Sequence, residues 1–231
     1  MGLVKSKGNM YDFVSHMHSS LGGECPHKCS YCYVKKNRFG IPEKYKGELR
    51  LIEKELTVNY GKDKIIFIEH MNDMFADGVP TEFISKILSH CYKYPDNKYV
   101  FQTKNPFNAF TFISWMPVKE KMIIGTTIES NRDYLSEVNA PSKHGRFTGI
   151  RLFSDEGYEN FITIEPVMDF DVEPFVKMIV DAKPTFINIG ADSKGCNLPE
   201  PSKEKVLQLI QMLQDNKITI RKKSNLERIL K

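Results

Sequence analysis

The chain has 231 residues, a formal net charge of +4, 41% hydrophobic and 27% charged residues, a balance that predicts one soluble domain over residues 1–231 with one sizeable core. No apolar run approaches the roughly 18 residues a membrane helix needs. Met1 to Tyr11 carries two lysines but no apolar segment, which is not the pattern of a secretory signal. Five cysteines, an odd number, argue against a disulfide framework. A reducing, cytoplasmic setting without membrane attachment is therefore expected. The mild positive excess suits an anionic partner. The basic runs Lys35-Lys36-Asn37-Arg38 and Arg221-Lys222-Lys223 read as solvated faces.

In chain order, a first strand is expected near Asp12 to His16, before a cysteine-bearing loop. Lys64 to Glu69 reads as a buried strand by its β-branched and aromatic content. Thr81 is placed to cap a helix in which Phe83, Ile84, Ile87, Leu88 and Cys91 recur at helical spacing, making Cys91 a core residue. Tyr99 to Thr103 reads as a strand, and Phe107 to Trp115 as a helix stopped by Pro117. Met122 to Ile128 is a strand followed by a short helix near Tyr134 to Val138. Phe161 to Glu165 is a strand. Asp171 is placed to cap a helix bearing Phe175, Val176, Ile179 and Val180. Phe186 to Gly190 is a strand, and Ser202 is placed to cap a helix bearing Val206, Leu207, Leu209, Ile210 and Leu213.

Alternating strands and helices imply a parallel sheet with right-handed crossovers. About six βα units fall short of a closed eight-unit barrel and predict a partial, open βα barrel, an α/β fold with the cysteine loop after the first strand. Such folds place chemistry at the carboxyl ends of the strands. Here those ends read Glu69 to Asp73, Thr103-Lys104-Asn105, Thr126 to Glu129, Glu165-Pro166 and Ala191-Asp192-Ser193.

The loop itself reads Gly22-Gly23-Glu24-Cys25-Pro26-His27-Lys28-Cys29-Ser30-Tyr31-Cys32-Tyr33. Its C-x3-C-x2-C spacing lets Cys25, Cys29 and Cys32 converge on one metal centre and supplies no fourth cysteine. A 4Fe–4S cluster held in this way keeps one iron open to a small molecule. Gly22 and Gly23 are expected to shape the loop. The alternative is a zinc site completed by His16, His18 or His27, which would make the chain a non-catalytic, zinc-stabilised nucleic-acid-binding protein.

The cysteine spacing, with Tyr31 before the third cysteine, resembles the loop of the radical S-adenosylmethionine enzymes. The further succession Asn72-Asp73-Met74-Phe75, Gln102-Thr103-Lys104, Gly125 to Glu129, Ile164-Glu165-Pro166 and Asn188-Ile189-Gly190 resembles a phage-associated family of that superfamily, distantly similar to spore photoproduct lyase. The resemblance implies a cluster on Cys25, Cys29 and Cys32. It also implies reductive cleavage of S-adenosylmethionine to a 5′-deoxyadenosyl radical, and hydrogen abstraction from a substrate, for which a nucleic acid or nucleotide is a candidate. A flavodoxin- or ferredoxin-type donor or a reductase would supply the electron. It places Tyr31 against the adenine and Asn72 and Asp73 at the methionine amino group. Lys104 falls at the methionine carboxylate and Thr126 and Glu129 at the ribose. Glu165 and Asp192 fall where substrate is expected. Cys196, in the loop after the sixth strand, is a candidate hydrogen-atom donor.

Overall fold

The computed structural model describes residues 2–134 and 139–231. Its first part contains strands β1 (Val4–Lys5), β2 (His16–His18), β3 (Leu21–Gly22), β4 (Arg50–Leu51), β5 (Ile65–Ile68), β6 (Lys98–Gln102) and β7 (Met122–Thr127), with helices α1 (Thr81–Tyr92) and α2 (Pro106–Thr111). Helix α3 (Lys143–Asp155), β8 (Glu159–Ile164), α4 (Val172–Ala182), β9 (Phe186–Ile189), α5 (Lys203–Asp215), β10 (Thr219–Lys222) and α6 (Glu227–Leu230) follow. Eight strands form one mixed sheet in the order β1-β2-β5-β6-β7-β8-β9-β10. The seven strands from β2 to β10 in this order are parallel, and β1 pairs antiparallel at one edge. The pair β3 and β4 stands apart and closes the base of the cysteine loop. Among the described residues no helix is long and apolar enough to cross a membrane.

Strand alternation divides the apolar residues between the two faces. Ile66, Ile68, Phe101, Ile124, Ile162 and Ile187 pack in one cluster with Ile84, Leu88, Ile150, Phe153, Phe175, Ile179 and Leu209 of the helices. The out-of-phase residues Phe67, Val100, Ile123, Phe161 and Phe186 form a second cluster with Tyr11 and Val14. Residues 10–14 are thus not the first strand expected from Asp12 to His16. That strand begins at His16, and the aromatics before it fill the second face. The rings of Tyr11 and Phe13 stack 5.4 Å apart, and Tyr11 meets Phe161 edge-on at 5.3 Å. Buried aromatic area of this kind outweighs the gain from extending a short strand.

The helices around residues 81–92, 172–182 and 203–215 occur as expected. Only Ser202 caps by its side chain, accepting from the Lys205 N–H. Asp171 occupies its N-cap position, but its carboxylate pairs with Arg132 instead. Asn105 caps α2, which ends at Thr111 and gives way to a 3-10 turn over Ile113–Trp115. The expected helix near Tyr134 to Val138 lies, over 135–138, outside the described residues. Helix α3 is not foreshadowed, because two glycines dilute its pattern. Gly149 is there for contact: a Cβ at this position would lie 2.5 Å from the Phe107 nitrogen of α2. The seventh parallel strand, β10, is equally hidden, since one aliphatic residue in Thr219–Lys222 leaves no apolar run to read.

Candidate active site at the carboxyl ends of the strands

The cysteine loop is fastened over one end of the sheet by buried polar contacts. Glu69, directly after β5, accepts from the Ser20 N–H at 2.5 Å, the Ser20 hydroxyl at 2.6 Å and the Leu21 N–H, fixing the approach to the loop. Burial pushes its carboxyl above the usual range, against those bonds. Gly23 has φ +89°, and a Cβ there would come within 2.1 Å of the Glu48 carbonyl oxygen, so only glycine fits.

Asn72 donates to the Gly23 carbonyl at 3.2 Å and accepts the Asp73 N–H at 2.9 Å. Asp73 accepts from His27 Nε2 at 2.6 Å, the Thr103 hydroxyl at 2.9 Å, the Lys104 N–H at 2.8 Å and the Phe75 N–H at 3.0 Å. Burial would raise its carboxyl, but His27 and the other donors hold it below the usual range. The two residues placed by resemblance at a methionine amino group are therefore turned to the loop. Asp73 ties His27, between the first two cysteines, to the end of β6.

A second anchor lies beside it. Glu129, just past β7, has no exposed surface. One of its oxygens meets both the Tyr31 hydroxyl and Lys104 Nζ, and the other lies 3.1 Å from Arg146 Nη1. Lys104 Nζ also donates to the Tyr31 hydroxyl at 2.7 Å and sits 5.2 Å from its ring centroid. Arg146, itself 1% exposed, further donates to the carbonyls of Pro141 and Thr127 at 2.9 and 3.1 Å. Tyr31, Lys104 and Glu129, distant in sequence, thus form one network, as charges taken out of water require. Arg146 was not foreseen, because it belongs to the unforeseen helix α3.

Thr126 does not join them. It follows the phase of Met122 and Ile124 toward the helices, where its hydroxyl is buried and unpartnered. Its neighbour Thr127 points to the other face and accepts from Gln102 Nε2 at 2.8 Å. Gln102 and Thr163 each bond the Tyr11 hydroxyl at 2.7 Å. Glu165 stands at the end of β8, held by Lys223 Nζ at 2.6 Å, Asn225 at 2.7 Å and Asn9 at 3.0 Å. The basic run near 221–223 is therefore not a solvated face throughout. Lys223 pairs with Glu165, and the Arg221 guanidinium lies 4.1 Å from the Phe186 ring centroid. Asp192 turns to its own loop, accepting the N–H groups of Lys194 and Cys196. Burial raises the half-buried Cys196 thiol, with Asp192 adding to the effect.

None of the three loop cysteines is in a disulfide; Cys29 is buried and Cys25 and Cys32 are half-buried. Cys25 and Cys32 line one cavity with Glu24, Lys35, Tyr45 and Met71. Burial, then the charge of Asp73, pushes the Cys25 thiol up to about 12, with Cys29 and Cys32 close enough to contribute. Among the described residues no three His, Cys, Asp or Glu side chains surround a single metal position. A cubane takes each thiolate on a separate iron. The histidines considered for zinc have other partners. His27 contacts Asp73 and lies 3.4 Å from the Asn139 carbonyl, His18 contacts Tyr60 at 2.7 Å, and His16 contacts Ser15 at 2.9 Å. The donor set fits a three-thiolate cluster.

The fold recurs in solved structures of low sequence identity. One is a spore photoproduct lyase variant with bound AdoMet and dinucleoside spore photoproduct, 13% identical, with a TM-score of 0.56 over 90% of this chain and 64% of that one. Another is Streptococcus suis SuiB bound to S-adenosylmethionine, 9% identical, with a TM-score of 0.60 over 90% of this chain and 50% of that one. The chain thus spans less than two thirds of either neighbour's length. No curated protein matches the sequence. The family model DUF5131, described as a protein of unknown function, matches residues 22–169, and the chain belongs to that family.

Proposed function

We propose that the chain is a radical S-adenosylmethionine enzyme whose cluster is held by Cys25, Cys29 and Cys32. One observation carries this reading. A C-x3-C-x2-C loop is pinned across the carboxyl ends of parallel strands by His27–Asp73 and Tyr31–Glu129, in a fold shared with two proteins solved with S-adenosylmethionine. When bound, a reduced cluster of this kind supplies the electron that cleaves S-adenosylmethionine to a hydrogen-abstracting radical.

The chain's own residues bind, orient and shield. Asn72, Asp73 and Glu69 hold the loop in register with the strand ends. Tyr31 and Lys104 form the wall against which S-adenosylmethionine lies, with Lys104 toward a carboxylate, and the fully buried Glu129 holds both in place from behind. The open sheet acts as a partial βα barrel whose floor is closed by Tyr11 and Phe13, so water is excluded from below. Glu165 with Lys223 lies on the side left for substrate, and Asp192 braces the loop of Cys196, the candidate to return a hydrogen atom. A small flavodoxin- or ferredoxin-type protein of the reducing cytoplasm is the electron donor in this account.

The test is anaerobic purification. Brown protein with about four irons per chain, releasing 5′-deoxyadenosine once reduced with S-adenosylmethionine, supports the assignment. Colourless protein with one stoichiometric zinc and no release would overturn it.

A further inference from the structure

Residues 24–50, which run from just after β3 into β4 and include the cysteines, hold seven Lys and Arg against three Asp and Glu. The rest of the chain balances at 26 of each. The whole formal excess of +4 therefore belongs to this one segment beside the mouth of the site. Three of its cations are committed within the fold. Lys44 Nζ bonds the Ser19 carbonyl, Lys46 pairs with Glu43, and Arg50 bonds the carbonyls of Lys44, Lys46 and Glu48. The other four, Lys28, Lys35, Lys36 and Arg38, form no ion pair among the described residues.

Stability does not account for what accompanies them. Phe39 is 82% exposed, the most exposed large hydrophobic residue described. The Arg38 guanidinium stacks on its ring, 4.5 Å from the centroid. Tyr33 is 44% exposed, and its hydroxyl is anchored on the His70 carbonyl at 2.5 Å. Cations interleaved with solvent-facing rings are how proteins bind single-stranded nucleic acid, the cations following phosphates and the rings stacking on unpaired bases. The patch also adjoins the chemistry: Lys35 shares the cavity of Cys25 and Cys32, and the charge of Lys36 acts on the Cys196 thiol. A membrane surface would call for an amphipathic helix, whereas residues 33–40 are turns.

We propose that Lys28, Lys35, Lys36, Arg38 and Phe39 form a docking surface for single-stranded nucleic acid, holding a strand across the mouth of the site. The docking rests on the radical-enzyme reading only for its purpose and is measured without turnover. Anaerobically purified full-length protein is titrated into fluorescein-labelled oligothymidylate at several salt concentrations, with anisotropy as the readout. The double variant Lys36→Ala/Arg38→Ala should bind more weakly and lower the salt slope by roughly 1.4, about 0.7 for each lost phosphate contact. Arg38→Lys should keep the slope. Phe39→Ala should weaken binding about tenfold with the slope unchanged. Iron content and 5′-deoxyadenosine release without nucleic acid should match the parent in all three. The docking proposal is overturned if the double variant and Phe39→Ala bind like the parent. Tighter binding of duplex, or preference for phosphatidylserine vesicles, overturns it equally. A parent protein that binds the oligonucleotide but lacks a cluster overturns the enzyme assignment and leaves the docking surface standing.

Discussion

The two halves of the sheet's carboxyl edge treat their acidic residues differently. Along β5 to β7, Glu69, Asp73 and Glu129 are buried and hold the cysteine loop through contacts from Ser20, His27, Tyr31, Lys104 and Arg146. Along β8 to β10, Glu165 and Asp192 are half-buried, and their partners are flexible lysine and amide groups or the N–H groups of their own loop. A buried carboxylate is costly unless every lone pair is used, so the first set has one arrangement. A partly hydrated one exchanges partners cheaply. One half is a fixed frame for the cysteine loop, and the other is a surface able to adapt.

Substitutions that break this contrast should rank in a definite order. The largest effect belongs to Cys29→Ala, which should reduce iron from about four per chain to near none and abolish 5′-deoxyadenosine formation. Elemental analysis and product chromatography read both. Next, Arg146→Ala strips a buried partner from Glu129 and should cost on the order of 3–5 kcal/mol in urea denaturation. A loss under about 1 kcal/mol would show that the frame is not rigid.

A pH effect of similar sign follows from His18 beneath the frame, beside Tyr60, Glu55 and His90. Burial lowers its pKa from 6.5 to about 4. The unfolded chain then takes up the proton first, so this contribution is complete above about pH 6.5 and is lost as pH falls toward 4. Its size is on the order of 3 kcal/mol, read as the parent's stability-versus-pH curve minus that of His18→Gln. The smallest effect lies on the adaptable side: Lys223→Ala should cost about 1 kcal/mol and leave iron content unchanged. A loss as large as that of Arg146→Ala would erase the distinction.

Much of the frame was legible in the sequence, because strands of β-branched and aromatic residues and a fixed cysteine spacing are local signals. The resemblance named Tyr31, Lys104 and Glu129 as contacts to S-adenosylmethionine, and the structure joins the three to one another. What the sequence did not show is which way a side chain points. Thr126 and Thr127 differ by one residue, and the pleat sends them to opposite faces. Asn72 and Asp73 lie at the expected strand end, but their partners, Gly23 and His27, come from a loop about fifty residues earlier. Arg146 and Lys223 stayed hidden because glycines weaken the pattern of α3 and because β10 has one aliphatic residue. Phe13 fell within the expected first strand, but with Tyr11 just before it serves as the filling of the sheet's second face, a role visible only once Phe161 and Phe186 are in place.

In the proposed function, three thiolates leave one iron open to S-adenosylmethionine at this edge of the sheet. Electron paramagnetic resonance of the anaerobically reduced protein, recorded before and after adding S-adenosylmethionine, addresses it most directly. A reduced 4Fe–4S signal whose g values shift on addition is expected, in the parent and in Lys223→Ala alike. A signal indifferent to S-adenosylmethionine, or no cluster signal from fully reduced protein, would contradict it.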